Sequence, residues 1–276
     1  MNPTILAPVD FSHVSINAAQ YAAQFAHNIH ANLKLIHIVQ LPVVYGEIPM
    51  LIGNYEHIVD EGHVQMNALV KKLKHELGEE LNVQFEIKTG SPLYEISEMA
   101  EKENPLMLVI GTRGLGGMER FLLGSVTLSL TKESPVPVLV VPDNWKFTPV
   151  VKIGFATDLQ KVVNNTPDDV IRKFTDKLDA ELHIMHNDPN YHEYEPVYMQ
   201  EGLLLDTMFA RQKHQFHFLH STFTEEGIIS HAKKNNLNWL MVQPHKHSFF
   251  DEMFGHQHTR EFVLHAEMPV LVLPLP

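Results

Sequence analysis

The chain contains itself twice, and that limits its fold more than any other feature. Asn104-Pro105-Leu106-Met107-Leu108-Val109-Ile110 is matched by Asn236-Leu237-Asn238-Trp239-Leu240-Met241-Val242, 132 residues further on. At the same spacing Val136-Pro137-Val138-Leu139-Val140-Val141-Pro142 falls on Met268-Pro269-Val270-Leu271-Val272-Leu273-Pro274. Near the starts, Ile5-Leu6-Ala7-Pro8-Val9-Asp10 resembles Ile153-Gly154-Phe155-Ala156-Thr157-Asp158, and Leu33-Lys34-Leu35-Ile36-His37 resembles Leu182-His183-Ile184-Met185-His186. These early matches lie 148 or 149 residues apart, so the second copy is shorter in its middle by about 16 residues. Two copies imply two domains of like architecture. We expect them over 1–143 and 150–276, with the polar stretch between Pro142 and Pro149 as the seam.

Within a copy, short apolar runs alternate with longer amphipathic stretches. Ile5–Val9, Leu33–Val39, Val83–Ile87, Met107–Ile110 and Val138–Val141 read as strands; Val14–Asn28, Glu56–Leu77, Pro92–Glu103 and Ser125–Lys132 read as helices. Most of the strands are continuously apolar, which indicates burial on both faces. Alternation of this kind predicts an α/β fold with a parallel sheet covered by helices. The second copy repeats it with strands near Lys152–Ala156, Leu182–His186, Phe216–Leu219, Trp239–Val242 and Val270–Leu273, and a helix from about Pro196.

The chemistry concentrates after the fourth strand, in Gly111-Thr112-Arg113-Gly114-Leu115-Gly116-Gly117 and on to Gly124-Ser125. Glycines permit loops whose N–H groups turn inward as an anion cradle. Gly124-Ser125 then opens a helix, whose free N–H groups also favour an anion. In an open α/β sheet, ligands sit beyond the carboxyl ends of the strands. Asp10 and Gly111 both fall on that edge. There is no Gly-Lys-Ser/Thr, and no Gly-x-Gly-x-x-Gly after the first strand, which excludes the commoner phosphate loops.

The spacing Gly, two residues, Gly, nine residues, Gly-Ser resembles the signature of the universal stress protein family. It is complete here in Gly111, Gly114, Gly124 and Ser125, with Asp10 ending the first strand and Ile36-His37-Ile38 ending the second. The resemblance implies two tandem doubly wound, five-stranded parallel-sheet domains of order 3-2-1-4-5. It also implies ATP binding, with or without Mg²⁺. By match, Asp10 would hold the ribose or the adenine edge and Val39 would contact the base. Ile110, Gly111, Arg113 and Gly114 would line the ribose and phosphate side, and Gly124, Ser125, Val126 and Thr127 would cradle the phosphates. It further implies a built-in pseudo-dimer, with Val138–Val141 beside Val270–Leu273, and allows a further homodimer. A regulatory nucleotide binder with a protein partner is the expectation; a ligand-independent scaffold and a weak ATPase are the alternatives.

In the second copy the 132-residue spacing puts Gln243, Pro244, Lys246, His256 and Gln257 at the positions of Gly111, Thr112, Gly114, Gly124 and Ser125. Every motif glycine is gone, and Pro244 has no N–H to donate. This half is expected not to bind ATP in the family manner. His245, His247, His256 and His258 fall in the same loop, near Asp251 and Glu252; they read as scattered loop histidines rather than a zinc site.

Composition sets outer limits. A formal charge of −12 opposes partnership with nucleic acid or anionic membranes. The absence of cysteine excludes thiol chemistry and thiolate-held clusters and fits a reducing, cytoplasmic setting. Neither a haem nor a flavin is expected, nor a catalytic or metal centre. The 19 histidines are numerous enough that protonating all of them would reverse the sign of the charge.

Overall fold

The computed structural model describes residues 2–40, 52–112, 124–143, 145–190, 195–244, 263 and 266–274, without the side chains of 52–55. The chain divides into two compact units, one running to Phe147 and the other starting at Thr148.

The first unit runs β1 (Thr4–Pro8), α1 (His13–Asn28), β2 (Asn32–Val39), α2 (Ile52–Leu77), β3 (Val83–Thr89), α3 (Pro92–Glu103), β4 (Met107–Gly111), α4 (Ser125–Glu133) and β5 (Val138–Val141). Its strands stand in the order β3-β2-β1-β4-β5, every neighbouring pair parallel. The registers are set by pairs such as Ile5↔Leu33, Leu6↔Leu108 and Val109↔Leu139. β5 and the first four residues of β4 are buried at every position, as continuous apolar runs require. α1 turns Ala18, Ala19, Ala22, Ala23 and Ala26 inward with Tyr21 and Phe25, and these small residues let its backbone lie close to the sheet. Expected and observed elements agree to within a residue or two, except that α2 begins at Ile52 rather than Glu56.

The second unit runs β6 (Lys152–Ala156), α5 (Val162–Asn165), α6 (Asp168–Leu178), β7 (Glu181–Asn187), α7 (Pro196–Met208), β8 (His214–Leu219), α8 (Thr224–Lys234), β9 (Trp239–Val242) and β10 (Val270–Val272). Its order is β8-β7-β6-β9-β10, again all parallel. Both units therefore have the doubly wound 3-2-1-4-5 topology. The shortening of the second copy falls in one crossover, where the 13 residues of α7 replace the 26 of α2. Its first helix is also broken. Pro167 follows the four-residue α5, where α1 runs unbroken for 16 residues.

Fine backbone detail repeats with the sequence. Asn104 (φ 43°) and Asn236 (φ 54°), the first residues of the matched segments, both take the left-handed turn before a strand. Asn tolerates that conformation because its short side chain can bond locally. Phe11 (φ 62°) and Leu159 (φ 55°) do the same just beyond β1 and β6. A bulky residue there costs on the order of 1–3 kcal/mol, and such strain gathers at functional edges.

Candidate functional site

The turn after β1 is a net of hydrogen bonds around Asp10. Asp10 Oδ1 accepts from the Ser12 N–H at 3.0 Å and from the Ser12 hydroxyl at 2.6 Å. Ser12 is the N-cap of α1, its Oγ accepting from the Ser15 N–H at 3.2 Å. The Ser15 hydroxyl donates to the Ser12 carbonyl at 3.1 Å and accepts from the Asp10 N–H at 3.2 Å. The cap is thus Ser12, and Asp10 stands one layer outside it with its carboxylate exposed. Partial desolvation pushes that carboxyl up, but the bonds from Ser12 and Ser15 outweigh it and hold the pKa below the ordinary value of 3.8. Asp10 is an anion at neutral pH.

His37, at the end of β2, supports this turn from beneath. Its Nδ1–H donates to the Val9 carbonyl at 2.7 Å, and the Phe11 ring lies 4.5 Å from its own.

Across from Asp10, β4 ends at Gly111. A Cβ built there would lie 2.5 Å from Val14 Cγ1 and 2.8 Å from the Val14 carbonyl oxygen, so α1 comes too close for any side chain. Gly124 differs. It is the N-cap of α4 at an ordinary φ of −59° and ψ of 143°, and it gives that helix no side-chain cap. Among the described residues a Cβ there would meet only Thr127 Oγ1, at 3.7 Å. The Leu128 N–H is bonded back to the Gly124 carbonyl at 2.9 Å, which leaves the N–H groups of Ser125, Val126 and Thr127 as the usual free donors of a helix start. The Thr127 hydroxyl is turned back to the Gly111 carbonyl at 3.3 Å.

Between these elements lies a cavity of about 280 Å³. Of the residues singled out in the sequence, Asp10, Ile110, Gly111, Gly124, Ser125, Val126 and Thr127 line it together. Val39 does not; it is buried, and its carbonyl accepts from the Gly90 N–H at 3.1 Å. The neighbours of Val39, Ile38 and Gln40, face the cavity instead. Arg113 and Gly114 lie outside the described residues. The structure adds Ser12, Ser15, Ile36, Pro92 and Ile96 to the wall. Pro92 and Ile96 could have been anticipated, because the first turns of α3 follow the carboxyl end of β3. Asp10 is the one charged side chain among the described lining residues. One end is therefore a carboxylate with hydroxyls and the other a row of N–H donors, with aliphatic walls between them. Among the described residues no group of histidines and carboxylates is arranged to hold a metal, and no helix is long and apolar enough to cross a membrane.

The matching edge of the second unit keeps the frame but covers it. Asp158 Oδ1 accepts from the Gln160 N–H at 2.9 Å, as Asp10 does from Ser12. His186 Nδ1–H donates to the Thr157 carbonyl at 3.0 Å, as His37 does to Val9. Yet Asp158 is 7% exposed and Leu159 1%. α7 lies over them: Glu201 Oε2 accepts from the Val162 N–H at 2.8 Å, and Tyr198 packs 5.7 Å from the His186 ring. Gln243 and Pro244 follow β9 where the first unit has Gly111 and Thr112. Lys246, Gln257 and the histidines at 245, 247, 256 and 258 lie outside the described residues.

Comparison with known proteins gives the same fold. A universal stress protein of Archaeoglobus fulgidus superposes with a TM-score of 0.69 over 99% of this chain and 96% of its own, at 19% identity. In sequence, a universal stress protein of Methanocaldococcus jannaschii is 37% identical over 141 residues, covering 50% of this chain and 80% of that one. One from Bacillus subtilis is 29% identical over 143 residues, 50% of this chain and 97% of that one. The model of the universal stress protein family matches residues 1–142, the whole of the first copy. With its repeat and its twice-built sheet, the chain belongs to the universal stress protein family in a tandem, two-copy form.

Proposed function

We propose that the first copy, residues 1–143, is a regulatory site for an adenine nucleotide, ATP foremost, and that the second, residues 150–276, does not bind ATP in the same way. One observation carries the reading. Gly124 needs no glycine for its own sake: its backbone is ordinary and, among the described residues, a Cβ would make no more than an ordinary contact. The missing side chain leaves bare the entry to three helix N–H groups, as a phosphate pressed against the backbone requires. The anionic Asp10 at the other end suits a ribose hydroxyl or an amino group, both donors. The aliphatic walls at Ile36, Ile38 and Ile96 suit a planar base. The volume stands near the lower end of the roughly 300–1,000 Å³ usual for small-molecule sites.

Binding rather than turnover fits the lining. Phosphoryl transfer needs cations to gather the developing charge and a group to position the nucleophile. The described wall supplies one carboxylate. If Mg²⁺ accompanies the nucleotide, Asp10 is the carboxylate at hand, and the metal would draw charge from the phosphates. The protein would then act by presenting a different surface to a partner when occupied, in the cytoplasm.

The test is thermal unfolding with and without millimolar ATP and Mg²⁺, on the native chain and on Gly124→Val. Valine suits the extended backbone of Gly124, so the variant should fold. At 100 times its dissociation constant the ligand adds about 2.7 kcal/mol to the unit that binds it. The shift is expected in the native chain and absent in the variant. No shift in the native chain would favour a ligand-independent scaffold.

A further inference from the structure

On the opposite side of the second sheet from α7, three histidines from three elements meet. His183 on β7 is 3% exposed. Its Nδ1 lies 2.9 Å from Nε2 of His217 on β8, and the two rings stack with centroids 5.0 Å apart and planes 5° from parallel. His231 on α8 packs against His217 with centroids 4.4 Å apart. Nε2 of His183 and Nε2 of His231 are enclosed without a hydrogen-bond partner among the described residues.

Among the described residues one carboxylate, that of Glu181, acts on His183 and His217. Glu181 Oε2 stands 3.6 Å from His183 Nε2, while its Oε1 accepts from Gln215 at 2.6 Å. Beside that carboxylate His183 is best protonated at Nε2, so its Nδ1 accepts from the Nε2–H of His217. The other charged groups facing the stack are cationic: Lys152 on β6 and Lys234 on α8. A proton added to His217 or His231 would set a cation against a neighbouring ring; His217 would share Glu181 with His183, and His231 faces no carboxylate among the described residues.

We propose that His183, His217 and His231 form an acid-sensitive latch, which holds α8 on β7 and β8 while all three rings are neutral and loosens the second unit when they take up protons. Burial and mutual repulsion support it. Desolvation, then His231 and His183, push His217 down to about 4. Desolvation first, with Lys152, also pushes His183 down against the pull of Glu181, and desolvation with His183 and Lys234 pushes His231 down. In the unfolded chain each takes a proton near the ordinary 6.5. The unfolded state therefore binds more protons below that pH. The latch is at full strength above pH 6.5 and weakens as pH falls toward the folded values, the lowest of them about 4. This would couple the unit without the nucleotide motif to acid stress, independently of whether the first unit binds ATP.

The test is urea unfolding of the full chain at pH 7.5, 6.5, 5.5 and 5.0, in a Trp145→Phe background. There Trp239, fully buried against Phe174, is the reporter. Linkage makes the unfolding equilibrium grow tenfold per pH unit for each extra proton bound by the unfolded state. About a hundredfold per unit is expected below pH 6.5, reduced by about tenfold in His217→Phe, which keeps a ring in the stack but cannot be protonated. His217→Gln should give the same reduction and replaces the phenylalanine variant if that one fails to fold. Equal slopes in native and variant chains would overturn the proposal. So would a gain in stability from added Zn²⁺ at pH 7.5 that the variants lose, because the cluster would then be a metal centre.

Discussion

The two copies share a frame and differ in what stands over it. Each ends its first strand with an aspartate whose Oδ1 accepts the N–H two residues on. Each follows with a bulky residue at positive φ and braces the turn with a histidine Nδ1–H at the end of the second strand. Among the described residues of the first copy the edge is open, Asp10 is exposed, and a cavity runs to the start of α4. In the second, a shortened crossover brings α7 across the edge, and Glu201 and Tyr198 cover what the first copy leaves free. The strained turn survives in both, so it belongs to the fold. Among the described residues an open cleft at this edge belongs to the first copy, and that is where an adenine nucleotide is to be sought.

The largest effect should come from giving the first copy the residue of the second. In Gly111→Gln the new Cβ would meet Val14 at 2.5 Å on its side chain and 2.8 Å on its backbone. Backbone cannot yield as a flexible side chain can, so overpacking should cost the first unit about 3 kcal/mol. Calorimetry should show its transition falling and its response to ATP lost. The reverse change, Gln243→Gly, should move stability by under about 1 kcal/mol and create no ATP response. A response gained there would break the comparison, since one residue would then separate a binding copy from a silent one.

Next come the two aspartates. Asp158→Ala should destabilise the second unit by about 1–2 kcal/mol, the cost of stranding the half-buried Gln160 N–H, and leave the ATP shift intact. Asp10→Ala should do the opposite: a small change in stability, and a 10- to 100-fold loss of nucleotide affinity, as for one bond to a charged group. The carboxyl of Asp10 is held below 3.8 when folded, so its contribution is whole above that pH and is lost as pH falls through the folded value. Asp10→Asn should therefore flatten only the part of the acid-stability profile below pH 4. Nucleotide affinity measured by calorimetry should not vary through Asp10 between pH 5 and 8.

Much of this was legible in the sequence because it is written in periodic and paired patterns. The β-branched runs gave the strands and the repeat gave two units of like architecture. Gly111, Gly124 and Ser125 pointed to one edge of the sheet, where the structure also puts them. The rest depends on contacts that no local pattern states. That Asp10 rests on Ser12 and Ser15 follows from a left-handed Phe11, a conformation its residue type disfavours. That Ile38 and Gln40 face the cavity instead of Val39 is a matter of strand parity at the end of β2. The burial of Asp158 follows from where a shortened helix comes to lie. His183, His217 and His231 become neighbours only through the β7–β8 register and the packing of α8, where His217 is paired with Met185 and Gln215 with His183.

The paired histidines give a finer comparison. His37→Gln and His186→Gln each remove one bond from an imidazole N–H to a strand-end carbonyl, worth about 1 kcal/mol. Equal losses in urea midpoints would show one frame built twice. A larger loss for His186→Gln, whose ring also packs on Tyr198 and lies 6.2 Å from Phe218, would show that the cover over the second edge leans on it.

The smallest effect tests that cover directly. Gly202 stands in the middle of α7, where glycine costs a helix roughly 1 kcal/mol relative to alanine. A Cβ built there meets nothing within 4 Å among the described residues. Gly202→Ala should therefore raise the stability of the second unit by about 0.5–1 kcal/mol, with its spectrum unchanged. The gain is expected because alanine narrows the unfolded ensemble and adds no clash. If stability falls instead, α7 packs closer to its surroundings than the open space beside Gly202 implies. The second edge would then be sealed more tightly than Glu201 and Tyr198 alone can seal it, and the contrast with the open cleft of the first copy would be sharper still.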